Sequence, residues 1–399
     1  GIKFIKQSTI LNNNMIKGNF PIEKFKNIET PFYYYDVNLL NETLNLVDNE
    51  SSKYGFLVHY AIKANANPKI LKIIAQKGFG ADCVSGNEVE AAIEAGFPAS
   101  KIVFAGVGKT DKEINLALDH NIFCFNVESI PELEVLNELA KNKGKVASIE
   151  LRINPNVDAH THHYITTGLN ENKFGFSMDD LKSVIEMTQS MSNIELIGLH
   201  FHIGSQITDL NSFETLCAKV NELQDEVESW GIKLKNINIG GGLGINYEHP
   251  NHIPIPDFES YFHLFAKHLK LRDGQHLHCE PGRSIVAQCG SLITKVTYVK
   301  SGATKKFAIV DAGMTDLIRP ALYEAYHRIE NISSEGEIEK YDVVGPICES
   351  SDVFDKDVEL NKTQRGDYLA IRSAGAYGEI MASRYNLRRL PIGYLSTEI

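Results

Sequence analysis

The sequence predicts an α/β chain: a closed barrel of eight strand-helix units, with a second, β-rich domain after it. Three observations carry this. Eight apolar β-type runs alternate with seven helical patterns between residues 56 and 280. Parallel strands need crossovers, so this alternation argues for a parallel sheet. Eight units favour closure into a (β/α)8, or TIM, barrel over an open doubly wound sheet. Beyond about residue 290 the alternation gives way to strands separated by turn residues, with few helices.

The eight runs are 56–62 (FLVHYAI), 80–84, 101–106, 122–127, 146–154, 194–202, 234–240 and 275–280. Several of the helical patterns between them open on Ser, Asp or Asn, which cap helix N-termini, and several close on Gly. Residues 155–176 form a polar stretch that is long for a strand-helix loop, and such loops are often functional. After the barrel, SLITKVTYVKSG, KKFAIVDAG, EIEKYDVVGP and DYLAIRSAG read as strands. The early run TPFYYYD (30–36) is also strand-like and is expected to complete that C-terminal sheet. The domains expected are therefore 36–289 for the barrel, and 1–35 plus 290–399 for a sandwich-like or barrel-like β domain.

The 399 residues carry a net charge of -11, from 40 basic and 51 acidic side chains. That balance argues against non-specific binding to nucleic acid or an anionic membrane. Hydrophobic residues make up 43% and charged residues 23%, which fits a globular chain rather than a disordered one. The opening residues lack a continuous apolar signal core, and no run approaches the 18 apolar residues of a membrane span. Six cysteines are scattered without a CxxC pair, so a zinc knuckle is not expected and a cytoplasmic location is.

In a barrel of this kind the chemistry sits at the C-terminal strand ends. Lys63 ends the first run, in HYAIKANAN. It is either a lysine leaving the sheet for water or a reactive amine. In HFHIGSQ, His200 and His202 lie two apart and face the same way. They suit a metal pair, a ring-stacking histidine, or one core and one surface residue. Gly204 and Ser205 follow as a turn that could meet an anion. NIGGGLG (238–244) places three glycines after the seventh strand, where barrel phosphate sites are common. EPGRS ends the eighth strand with Glu280 at the mouth and Arg283 just beyond it. The arginine fork suits phosphate or carboxylate, although a surface ion pair would look the same in sequence. In the β domain, Arg319 and Tyr323 are four apart and share a face if helical. Cys348, Glu349 and Asp352 are expected to crowd acids near a thiol.

Pyridoxal 5'-phosphate needs a lysine for its Schiff base, a phosphate cradle and a partner for its pyridine nitrogen. Lys63, the Gly240–Gly242 loop with Arg283, and Glu280 fill those needs. The blocks YAIKAN, HFHIGSQ, GGGLG, EPGR, DAGMTDLIRPALYEAYH, CESSD and SAGAYG resemble, in order, those of the alanine-racemase-like (fold type III) pyridoxal-phosphate enzymes. Among these they are similar to the decarboxylases of meso-diaminopimelate, from about residue 30 to 390. The resemblance implies that Lys63 carries the cofactor, His202 stacks on its ring and Glu280 meets the pyridine nitrogen. It assigns phosphate to Ser205, Gly241, Gly242, Arg283 and Tyr377, and places Asp82 and Arg152 near the lysine. It gives the distal carboxylate of the substrate to Arg283, Arg319 and Tyr323, and the distal ammonium to Glu349, with Tyr377 also at the substrate. It makes Cys348 a proton donor from a second subunit of a homodimer with shared sites. The product would be L-lysine, with carbon dioxide released.

Two departures stand out: Arg384 occupies a position where asparagine is expected, and His162 is an extra histidine in the long loop. The rival substrates are ornithine, arginine and carboxynorspermidine, against which Arg319 with Tyr323 and Glu349 speak. An alanine racemase would pair the pyridine nitrogen with a cation, so Glu280 argues against one. A metal-dependent hydrolase built on His200 and His202, with His278 in reserve, leaves the glycine loop unexplained.

Overall fold

The computed structural model describes residues 16–159 and 173–399. Most of the polar 155–176 stretch, including His162, lies outside the described residues. The chain divides into two compact units, one of residues 43–244 and 257–285, the other of residues 1–42, 245–256 and 286–399.

After β1 (Phe32–Tyr35) and α1 (Val37–Ser52) the first unit alternates strand and helix. Its strands are β2 (Leu57–Ala61), β3 (Gly80–Cys83), β4 (Ile102–Phe104), β5 (Cys124–Val127), β6 (Ala147–Asn154), β7 (Ile194–His200), β8 (Asn236–Asn238) and β9 (His276–Cys279). All pair in parallel in the order β5-β4-β3-β2-β9-β8-β7-β6, and β5 pairs with β6 to close the barrel. The seven expected helices are α2 (Pro68–Gln76), α3 (Gly86–Ala95), α4 (Asp111–Asp119), α5 (Ile130–Asn142), α6 (Leu181–Gln189), α7 (Asn211–Ser229) and α8 (Phe258–His268).

Local chemistry starts and stops these helices. The side chains of Asn67, Ser85, Ser129 and Asp257 accept from backbone N–H groups of the first turns of α2, α3, α5 and α8. Thr110 and Glu113 form a reciprocal capping box on α4. Caps of this kind contribute about 1 kcal/mol each. Gly96 ends α3 at φ +103°, a left-handed conformation that costs glycine little.

The strands are buried, and the barrel interior is unusually polar. His59, Asp82, Glu150, His200, Asn238, His278 and Glu280 are all buried. Burying so many polar groups is tolerable only where they bond one another or a ligand. At the N-terminal end of the strands, His59 Nδ1 bonds the Lys101 carbonyl at 3.0 Å, and His59 Nε2 meets His278 Nδ1 at 2.8 Å. Burial first, then the neighbouring His59, pushes the His278 imidazole down to about 3, so it stays neutral.

The second unit is a mixed sheet around the long strand β10 (Gly290–Ser301). It holds β11 (Lys306–Val310), β12 (Ile329–Asn331), β13 (Ile338–Val344), β14 (Val353–Asn361), β15 (Tyr368–Ile371) and β16 (Ile392–Leu395), with a short helix α9 (Arg319–Tyr323). The N-terminal β1 pairs antiparallel with β10, Phe32 opposite Ile293, and parallel with β16. Phe25, Phe32, Tyr34, Ile293 and Tyr368 pack as its apolar core. The division differs from the expected 36–289 barrel, because residues 245–256 group with the β-rich unit. Asn251 explains this: its amide nitrogen donates to the Ile16 carbonyl at 2.8 Å and to Glu330 at 2.7 Å. Tyr247 packs edge-on against His327 at 5.3 Å. Among the described residues no helix is long and apolar enough to cross a membrane.

Candidate active site

The C-terminal strand ends of the barrel surround a cavity of about 400 Å³ lined by Lys63, Asp82, Arg152, His200, His202 and Glu280, among others. Lys63 is not on a strand. β2 stops at Ala61 and the chain turns through a 3-10 segment, Ile62–Ala64, which carries the lysine into the mouth. The expectation that it ends the first strand therefore fails, although its arrival at the site does not depend on it.

Glu280 follows β9 and is buried. Its Oε1 accepts a hydrogen bond from His200 Nε2 at 2.6 Å, while Oε2 has no partner among the described residues. Burial alone would raise this carboxyl. The charge and hydrogen bond of His200, with help from His59 and Asn238, instead hold it below the usual carboxylate range. Asp82 behaves in the opposite way. Burial, then the charge of Glu280, pushes its carboxyl well up, and Lys63 offsets only part of this. Its Oδ1 is likewise without a partner among the described residues.

The two histidines of HFHIGSQ part ways. His200 serves Glu280, and His202 Nδ1 accepts from the Gly241 N–H at 3.3 Å. Burial and the cations Lys63 and Arg152 hold His202 well below its ordinary value, so its ring is neutral. A metal pair needs both rings aimed at one point, and they are not. Arg152 Nη1 donates to Glu128 Oε1 at 2.7 Å, and its guanidinium lies 4.7 Å from the Phe174 ring centre.

Across the mouth, Arg283 Nη2 donates to Ser205 Oγ at 2.8 Å. The glycine loop is close-packed behind them. Gly240 adopts φ +69°, and a Cβ there would strike the Phe201 carbonyl oxygen. Gly242 adopts φ +106°, and its Cβ would lie 2.6 Å from the Gly204 carbonyl oxygen. Side chains are thus excluded by packing as well as by conformation.

In the β-rich unit, Arg319 and Tyr323 lie on the one short helix α9, as expected. Arg319 is buried, with its guanidinium 4.9 Å from the Tyr247 ring centre, and Nη1 donates to His327 Nε2 at 2.8 Å. His327 Nδ1 bonds the Arg372 carbonyl at 2.9 Å, which leaves Nε2 as the acceptor. The Cys348 thiol and Glu349 are exposed, and Glu349 accepts from the Tyr385 hydroxyl at 2.6 Å. Asp352 does not join them. Its carboxylate is buried and accepts from the backbone N–H groups of Met314 at 2.6 Å and Ile347 at 2.8 Å, so it fixes loops instead. Tyr377 sits at φ +56° and is partly buried. Arg384 is exposed in the C-terminal segment.

Sequence reasoning left His200 open, and missed Glu128, Glu150 and Asn238. The available signal was alternation: Glu150 and Arg152, and Asn236 and Asn238, are pairs two apart on strands.

Bare, buried carboxyl oxygens on Asp82 and Glu280 beside an amine, facing a loop that excludes side chains, fit a ligand with a protonatable ring and an anionic end. Pyridoxal phosphate is such a ligand, and the fold and site define the class of pyridoxal-phosphate barrel enzymes. The chain belongs to the family described as pyridoxal-dependent decarboxylase, pyridoxal binding domain, which matches residues 40–287. It is 64% identical to the diaminopimelate decarboxylase of Bacteroides thetaiotaomicron over 96% of this chain and 100% of that one. It is 44% identical to the Aquifex aeolicus diaminopimelate decarboxylase over 90% of this chain and 84% of that one. Among solved structures, diaminopimelate decarboxylase from Helicobacter pylori complexed with L-lysine aligns with a TM-score of 0.89 at 41% identity, covering 94% of each chain.

Proposed function

We propose that this enzyme decarboxylates meso-2,6-diaminopimelate to L-lysine and carbon dioxide, the last step of lysine biosynthesis. The observation that carries it is the buried Glu280, bonded to His200 at 2.6 Å and lining the same cavity as Lys63. Bound pyridoxal phosphate supplies an electron sink for the charge left on carbon when carbon dioxide departs.

The chain's own residues hold and tune that group. Lys63 provides the amine that attaches it. Glu280, kept ionised by His200, holds a proton on the ring nitrogen. His202, neutral, covers a ring face, and Asp82 and Arg152 shape the wall beside the lysine. Ser205, oriented by Arg283, takes the phosphate together with the N–H groups of Gly241 and Gly242 and with Tyr377. Arg319, Tyr323 and Arg283 receive the distal carboxylate of the substrate, with Tyr377 alongside. Glu349 receives the distal ammonium. Cys348 Sγ delivers a proton to the reacting carbon.

We further propose a cytoplasmic homodimer with shared sites. The β-rich unit supports it by exposing the apolar side chains of Leu322, Ile380, Tyr385 and Leu387 as well as the Cys348 thiol, next to which Glu349 accepts from the Tyr385 hydroxyl.

A substrate panel tests the function. Purified enzyme should release lysine from meso-diaminopimelate and leave ornithine, arginine and carboxynorspermidine untouched. Preference for any of these would refute the substrate. The visible band of bound cofactor should vanish in Lys63→Ala, and a variant that keeps it would refute the role of Lys63.

A further inference from the structure

We propose that His327 is a positioning residue that sets the guanidinium of Arg319, and so governs how well the enzyme recognises the distal carboxylate of its substrate. The proposal rests on Arg319 receiving that carboxylate.

His327 and Arg319 are both buried within the β-rich unit. The chain turns at Glu324 (φ +55°) directly after α9, and His327 comes to lie against Arg319. A backbone carbonyl can only accept, so the Arg372 carbonyl at 2.9 Å fixes the proton on His327 Nδ1. Nε2 is then a lone-pair acceptor, and it takes the Arg319 Nη1–H at 2.8 Å. The Tyr247 ring centre lies 4.9 Å from the same guanidinium, and that ring packs edge-on against His327. The segment that carries Tyr247 is itself tied down. Asn251 Nδ2 donates to Glu330 at 2.7 Å, and Arg372 Nη1 donates to Asn251 Oδ1 and to Glu330. Arg372 thus backs His327 with its carbonyl and the Tyr247 segment with its side chain.

A planar guanidinium is placed by one bonded nitrogen and one covered face. Together they fix its position and its plane, and with them the directions of its remaining N–H groups. Both grips on Arg319, an imidazole lone pair and an aromatic face, leave its positive charge uncancelled. A carboxylate in the place of His327 would orient the arginine equally well, but it would offset the charge that a substrate carboxylate must meet. A neutral acceptor orients without that loss. His327 acts through Arg319, so it serves recognition rather than the bond-breaking step.

The test uses His327→Asn and His327→Gln in the holoenzyme, read by KM and kcat for meso-diaminopimelate and by thermal unfolding. Asparagine can still donate to the Arg372 carbonyl, but its amide falls short of the place of Nε2, so Arg319 loses its acceptor. KM should rise about tenfold or more while kcat falls less than about threefold. The glutamine carbonyl reaches the place of Nε2, so KM should stay within about threefold of wild type. A merely structural role would lower the melting temperature of both variants and leave KM alone. Adding His327→Asn to Arg319→Lys should raise KM no more than about twofold beyond Arg319→Lys alone, because residues acting through one contact are not additive. A further rise of about tenfold in that double variant overturns the proposal. So does a wild-type KM in a folded His327→Asn. A folded His327→Gln with KM raised about tenfold also overturns it, even where His327→Asn does not fold. Arg319→Lys separates this from its foundation. If Arg319→Lys raises KM and His327→Asn does not, only the positioning is wrong. If Arg319→Lys leaves KM unchanged, the carboxylate role of Arg319 is wrong, and the positioning falls with it.

Discussion

Glu150→Gln removes a carboxyl from the barrel interior with almost no change of shape. The wild-type side chain has no exposed surface, one amide donor at 3.3 Å, and an Oε2 without a partner among the described residues. Burial, then the negative charge of Glu280, raises its carboxyl from 4.5 to about 8, against an opposing hydrogen bond from Asn238. An acid raised in the folded state binds its proton more tightly there than in the unfolded chain. Between 4.5 and about 8 the unfolded chain has released that proton and the folded chain keeps it, so stability falls as pH rises through this window. At about 1.4 kcal/mol per unit of pKa, the full cost above that window is about 5 kcal/mol. Glutamine carries no such cost and can still accept from Asn238. Urea unfolding of the cofactor-free protein at pH 5, 7 and 9 reads the effect. The stability of Glu150→Gln relative to wild type should climb steadily across these values, approaching the 5 kcal/mol ceiling. A difference that stays constant within about 1 kcal/mol from pH 5 to 9 would refute the argument, because the carboxyl would then titrate alike in both states.

Two further substitutions address the β-rich unit. Arg319→Lys cannot both bond His327 and stack on Tyr247, so KM for meso-diaminopimelate should rise about tenfold or more; an unchanged KM would remove Arg319 from substrate binding. Cys348→Ser offers a far weaker acid at an exposed position, so kcat should fall by about 100-fold with cofactor affinity unchanged. A kcat within twofold of wild type would take proton delivery away from Cys348.

Much of the fold was legible because local chemistry marks it. Caps such as Ser85, Thr110 and Ser129, and the stop at Gly96, act within a few residues of where they sit. The expected strands differ from the observed ones only at their ends, as with 101–106 against Ile102–Phe104. The site was legible where a motif is contiguous, as in the glycine loop or the Arg283 segment that reaches Ser205. Asp352 was misjudged because sequence adjacency to Cys348 says nothing of direction, and its carboxylate turns to the backbone of Met314 and Ile347. The placement of residues 245–256 was hidden for a similar reason: Asn251 is claimed by Glu330, 79 positions away.

By itself the sequence determined the eight-unit rhythm, the lysine at a strand exit, the side-chain-free loop and the acid that follows the last barrel strand. Each depends on neighbours along the chain. Only the tertiary structure decided what lies inside the barrel. Alternation says that Glu150 and Arg152 share a face, and likewise Asn236 and Asn238, but strands covered on both sides do not reveal which face is interior. Closure of β5 onto β6 settles it and brings together partners 80 positions apart, His200 with Glu280, and 88 apart, Asn238 with Glu150. The electrostatics follow from that closure, because a carboxyl is held down or pushed up by what surrounds it in low-dielectric space, and those surroundings come from strands all round the barrel, among them β2, β6, β7 and β8.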